Sequence, residues 1–256
     1  MIDYHIHTIF SDGSGQHEEY IRQAVQSGLS EIGFSDHLCL RPVSWAVSPE
    51  NIPKMSELVQ HTKSGSPDCR VKFGIEVDYF PDQEAEISQL IDSLPVDYVI
   101  GSVHFLGHWN MDNSADGYSE WNIGNLYEYY FSVVSKAARS GLFDILGHVD
   151  LVKKFGHRPE GGSAGYYGEL IRAISESGVA VELNCSGMNK PCREFYPTRK
   201  FLELCLAENI PVTLGSDAHN PGQVGQHFPE ALKLLKAVGY DTICRFDRRN
   251  RTEINI

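Results

Sequence analysis

The first fourteen residues, MIDYHIHTIFSDGS, bring two histidines and a carboxylate (His5, His7 and Asp12) close together. Imidazole and carboxylate are the ligand set of zinc, manganese and iron, and side chains at i and i+2 of a strand share a face. Comparable side chains end later apolar runs: His37 in FSDH, Glu76 in GIEVD, His104 in GSVH, His148 in GHVD, and Asp217 with His219 in GSDAH. These six histidines and three carboxylates are too many for one ion, and a shared carboxylate can bridge two. The competing reading is a buried polar network, in which every member must find a hydrogen-bond partner.

The elements that would hold these residues alternate along the chain. Short strand-like runs fall near 2–8, 31–36, 71–78, 97–104, 144–149, 179–185 and 211–216, each apolar at first and polar at its end. Helical patterns lie between them, from HEEYIRQAVQSG, closed by Gly28, to PEALKLLKAVG. The strand-end residues His7, His37, Glu76, His104, His148, Asn184 and Asp217 are separated by intervals of 28 to 44, room for one βαβ unit of roughly 30 residues in each. Seven units in one direction predict a single α/β domain over residues 1–256, a closed or nearly closed (β/α)7 barrel. All nine ligands would then lie at its C-terminal mouth. The last segment, DTICRFDRRNRTEINI, reads as a closing strand or tail.

The formal net charge of −12 argues against a nucleic-acid backbone as main partner. The six cysteines form no CxxC pair and suit a reduced, cytoplasmic protein. No signal peptide and no apolar run of membrane-spanning length is evident. His17, His61, His108, His157 and His227 read as ordinary polar side chains. Asp3, Asp36, Asp78 and Asp150 adjoin ligands and are candidates for orienting imidazoles.

Together HIHTIFSDGS, FSDH, GIEVDY, GSVHF, GHVDL and LGSDAH resemble the successive motifs of the polymerase and histidinol phosphatase (PHP) superfamily, in that family's order. GHVDLVKKFG, VELNCSGMNK, REFYPT and PVTLGSDAHNPGQVG are similar to its stand-alone histidinol-phosphatases. The resemblance implies a distorted (β/α)7 barrel with three divalent transition-metal ions, zinc, iron or manganese. The first ion would take His5, His7, Glu76 and Asp217. The second would take Glu76, His104 and His148, with Glu76 bridging, and the third Asp12, His37 and His219. Many superfamily members carry histidine where this chain has Asp12. The amidohydrolases also begin with HxH, but they bridge their metals with a lysine from the fourth strand, where this chain has His104.

The implied reaction is hydrolysis of L-histidinol phosphate, a small phosphate monoester, in histidine biosynthesis. Glu76, Asp217 and His219 would be catalytic. Metal ions would bring the pKa of water toward ~7 and offset phosphoryl charge. Arg158 and Arg193, in loops after the fifth and sixth strands, are expected to clamp the phosphate, with Lys153 and Lys154 as weaker candidates. Phe105, Tyr79, Asp78, Glu160 and Asn184 are candidates for reading the amine and imidazole. The alternative substrates are nucleotide or oligonucleotide phosphodiesters and phosphotyrosine.

Overall fold

The computed structural model describes residues 1–65 and 68–256. Its centre is a ring of parallel strands: β1 (Ile2–Asp3), β2 (Glu31–Phe34), β3 (His37–Leu38), β4 (Arg70–Asp78) and β5 (Tyr98–Ser102). A small hairpin, β6 (Phe105–Leu106) and β7 (Trp109–Asn110), precedes β8 (Ile145–Leu146), β9 (Ala180–Asn184) and β10 (Val212–Gly215). The order around the sheet is β1-β2-β4-β5-β8-β9-β10, and β3 resumes the place of β2 beside β4. The seam closes where Tyr4 N–H donates to Leu214 O at 3.2 Å, Ala218 N–H to His5 O at 3.1 Å and His7 N–H to Ala218 O at 2.9 Å. The strand count and direction agree with the expected seven-stranded barrel.

Among the described residues seven α-helices surround it: α1 (His17–Gln26), α2 (Ile52–Gly65), α3 (Glu84–Asp92), α4 (Ile123–Arg139), α5 (Gly168–Ser177), α6 (Arg199–Ala207) and α7 (Phe228–Val238). Local chemistry sets their ends. A capping box joins Gln16 and Glu19 at the start of α1. Beyond its last turn Gly28, at φ +71°, lets Leu29 N–H reach Ala24 O and Gly28 N–H reach Val25 O, which is a Schellman stop. Asn122 and Thr198 cap α4 and α6. Along α4 the buried residues Leu126, Tyr127, Tyr130, Phe131, Val134 and Ala138 recur every three or four positions, so one face turns to the core.

The C-terminal segment differs from the expected closing strand or tail. It is an antiparallel hairpin, β11 (Thr242–Asp247) and β12 (Asn250–Asn255), outside the barrel sheet. It lies under the N-terminal ends of the strands. There Arg249 N–H donates to Asp97 O at 2.8 Å, just before β5, and its Nε to Asp144 at 2.9 Å, just before β8. Phe246 is buried against the stacked rings of Tyr4 and Tyr98, so the hairpin plugs the floor and leaves the opposite mouth open. None of the helices among the described residues is long and apolar enough to cross a membrane.

Candidate metal centre

Each candidate ligand arrives at the mouth by a local device. His5 and His7 flank Ile6, which bridges to Ala218 across the seam, and their rings lie 5.0 Å apart. Asp36 accepts from Thr8 N–H, Thr8 Oγ1 and Ser11 Oγ, which pins the loop carrying Asp12. His37 opens β3 opposite Glu76 of β4. His148 (φ +24°) and Asp217 (φ +56°) lie just past their strands in left-handed turns, so Asp217 and His219 are turn residues and not strand neighbours.

Glu76 is the hub. Its carboxylate oxygens lie 3.1 Å from His5 Nε2, 3.5 Å from His7 Nε2, 2.9 Å from His37 Nδ1, 3.8 Å from His104 Nε2 and 3.0 Å from His148 Nε2. Four sets offer ligand atoms that all lie within 4.8 Å of one another. They are His5, His7 and Asp217; His5, Glu76 and His148; His37, Glu76 and His104; and His7, Asp12, His37 and His219. His5, His7, His37 and Glu76 are each shared between two sets.

The surroundings fit divalent cations better than a polar network. His5 Nε2, both ring nitrogens of His7, His37 Nδ1 and Glu76 Oε2 are buried without an aligned hydrogen-bond partner. A self-satisfied network leaves no such group at its centre, whereas lone pairs converging on common points are what a cation takes. The donor set, imidazole with carboxylate, suits zinc, iron or manganese.

Charges in the cluster are strongly coupled. Burial penalises the carboxylate of Glu76, but the rings of His5 and His37 outweigh it and hold its pKa well below the ordinary value. Asp217 is likewise held low against burial, chiefly by His5 and His7. Burial and the neighbouring His37 and His219 push His7 down to about 3. Burial also opposes charge on His104, yet Asp78, 3.0 Å from its Nδ1, raises it to about 10. Asp12 raises His219 to about 9 against burial.

Of the four aspartates named as orienting groups, only Asp78 meets an imidazole. Asp3 accepts from Ser216 and Gly225 N–H, Asp36 holds the first loop, and Asp150 pairs with Lys153 and accepts from Thr198 N–H. His17, His61, His108, His157 and His227 join no ligand set among the described residues.

A cavity of about 370 Å³ opens over the ligands. Trp45, Asn110, Asp112, Lys154, Lys190 and Tyr196 contribute to its walls. Arg158 and Arg193 do not. They line a separate cavity of about 540 Å³, where Arg158 pairs with Glu194 at 3.0 Å. Lys153 is buried beneath, donating to Asp150 and Phe195 O, so Lys154 is the residue of that pair that reaches the mouth.

Sequence reasoning missed Glu182. It is buried on β9 with its Oε1 2.6 Å from His5 Nδ1. The available signal was its i, i+2 spacing to Asn184, which puts both on one strand face.

The PHP domain family matches residues 3–186. The chain belongs to the PHP family. Within that family it is 37% identical, over 95% of both chains, to the probable histidinol-phosphatase of Deinococcus radiodurans. It is 29% identical to the histidinol-phosphatase of Bacillus subtilis, over 90% of this chain and 98% of the other. The PHP barrel also superimposes with a TM-score of 0.84, at 23% identity and 98% coverage of each chain, on a crystal structure from Lactococcus lactis. That structure is of a histidinol phosphate phosphatase complexed with zinc, L-histidinol and phosphate.

Proposed function

We propose that this PHP protein is a metal-dependent phosphomonoesterase that hydrolyses L-histidinol phosphate to L-histidinol and phosphate. The observation that carries the reading is the placement of Glu76 within 3.8 Å of five histidine rings at the mouth of a PHP barrel. The 37% identity to a named probable histidinol-phosphatase along nearly the whole chain supports the substrate.

Three ions are assigned, of zinc, iron or manganese: one to His5, His7, Glu76 and Asp217, one to Glu76, His104 and His148, and one to Asp12, His37 and His219. The sets His5, His7, Asp217 and His7, Asp12, His37, His219 support the first and third sites. His104 and His148 fall in different sets that share Glu76, and what supports the second site is that both approach Glu76 Oε1, at 3.8 and 3.0 Å. Divalent ions held there would supply Lewis acidity and a lowered pKa for water, toward ~7. Glu76 holds two ligand groups together, and Asp217 with His219 faces the cavity from the opposite turn. Lys154 and Lys190 stand beside that cavity as cations for a phosphate dianion. Arg158 and Arg193 keep a proposed share in phosphate binding because they lie on the same loop segments as Lys154 and Lys190. To take it, Arg158 must leave Glu194. A small-molecule substrate suits a cavity of about 370 Å³ and a net charge of −12. One barrel domain over residues 1–256 and six unpaired thiols accord with a cytoplasmic enzyme.

The test is kcat/KM of the metal-loaded protein for L-histidinol phosphate, other phosphate monoesters, phosphotyrosine and short oligonucleotides. Clear preference for histidinol phosphate is expected. Faster turnover of any other member would reassign the substrate.

A further inference from the structure

Glu182 has no place among the ligand sets, yet it is fully buried in the middle of β9. A carboxylate taken out of water is costly unless both oxygens find partners. Here Oε1 lies 2.6 Å from His5 Nδ1, while Oε2 accepts from His148 N–H at 2.9 Å and from Asn184 Nδ2 at 3.1 Å. One side chain therefore touches two histidines from strands far apart in sequence, and both of them point their Nε2 atoms at Glu76.

Each contact has a distinct consequence. A carboxylate at Nδ1 fixes the proton there and leaves the Nε2 lone pair of His5 directed into the cluster. The contact to His148 holds the backbone of a residue at φ +24°, a conformation that non-glycine residues rarely adopt. Strand β10 makes space for this arrangement. A Cβ on Gly215 would come within 1.9 Å of Glu182 Oε1 and 2.7 Å of His5 Cβ.

We infer that Glu182 is a positioning residue of the metal centre: it sets the tautomer of His5 and the turn of His148 so that both rings meet at Glu76. The inference rests on the metal-centre reading above. Glutamine cannot replace it, although the two side chains have nearly the same shape. An amide oxygen at His5 would put the amide NH2 against the His148 N–H. Turned round, the amide would donate to His5 Nδ1 and move the ring proton to Nε2, into the cluster.

Glu182→Gln should lower zinc affinity about 10- to 100-fold, the scale for loss of a partner that orients a ligand, measured by chelator competition. It should lower kcat with KM little changed, and leave the far-UV circular dichroism of the metal-free protein as in wild type. Wild-type zinc affinity in the variant would overturn the inference alone. Failure of the wild type to bind zinc would overturn the metal-centre reading and this inference with it. Long-range ¹⁵N–¹H correlation of His5 in zinc-loaded wild-type protein gives a test independent of the variant's folding. Protonated Nδ1 with metal-bound Nε2 is expected, and the reverse pattern would refute the positioning role.

Discussion

Glu76 Oε2 lies 3.1 Å from His5 Nε2, a contact between the first strand region and β4. The two atoms are buried and neither is satisfied by the other, because the pair lacks hydrogen-bond alignment. Four further histidines approach the same carboxylate. The mouth is thus organised around one acidic side chain.

Glu76→Gln should reduce turnover of L-histidinol phosphate by at least about a hundredfold, the upper scale seen when only an outer partner of a metal ligand is lost. Circular dichroism of the variant should match wild type, since residues at this face of a barrel serve chemistry more than stability. Retained activity would show that the carboxylate is not the hub.

Chelation should abolish activity and lower the melting temperature, and restoring zinc should reverse both. Saturating a single site to a hundred times its Kd contributes about 2.7 kcal/mol, which is several degrees for a domain of this size. Elemental analysis should find at least about two ions per chain, because a bridging role for Glu76 needs two. Unchanged melting on metal removal would count against a built centre.

The guanidinium of Arg158 is held by Glu194 away from the mouth. If substrate draws it in, Glu194→Gln should lower KM for L-histidinol phosphate, and Arg158→Ala should raise it about tenfold or more. A charge-assisted hydrogen bond contributes ~1.5–3 kcal/mol. No change in either variant, with a raised KM in Lys154→Ala, would assign the phosphate's cations to the lysines instead.

Phe246→Ala should destabilise the fold by about 3–5 kcal/mol, the usual cost of emptying a buried phenylalanine site, read from the denaturant midpoint. Its kcat should stay near wild type, because the hairpin plugs the floor and the chemistry lies at the other end. A large loss of kcat in protein that remains folded would mean that the floor and mouth are coupled.

Most of the nine candidate ligands were legible in the sequence because they end apolar runs, where a barrel turns its side chains toward the mouth, and Asp12 because it follows the first run closely in its loop. Glu182 was not, since it sits mid-strand among apolar neighbours and its partner His5 is 177 residues away. The hairpin was read as a strand or tail for a related reason. Its turn uses Arg248 and Arg249 at φ +47° and +64°, positions where Asn-Gly is the usual signal. The direction of Arg158 depends on Glu194, a contact between two loops that spacing does not encode. Asp217 and His219 were legible as a pair, although a left-handed turn and not a strand sets their geometry.

The most direct test of a multi-metal centre built on Glu76 is a crystal structure of the metal-loaded protein soaked with inorganic phosphate, with ions located by anomalous scattering. Three peaks are predicted, two of them flanking the Glu76 carboxylate, with phosphate over them in the cavity bounded by Lys154 and Lys190. A single peak, no peak, or phosphate seated only beside Arg158 and Arg193 would contradict it.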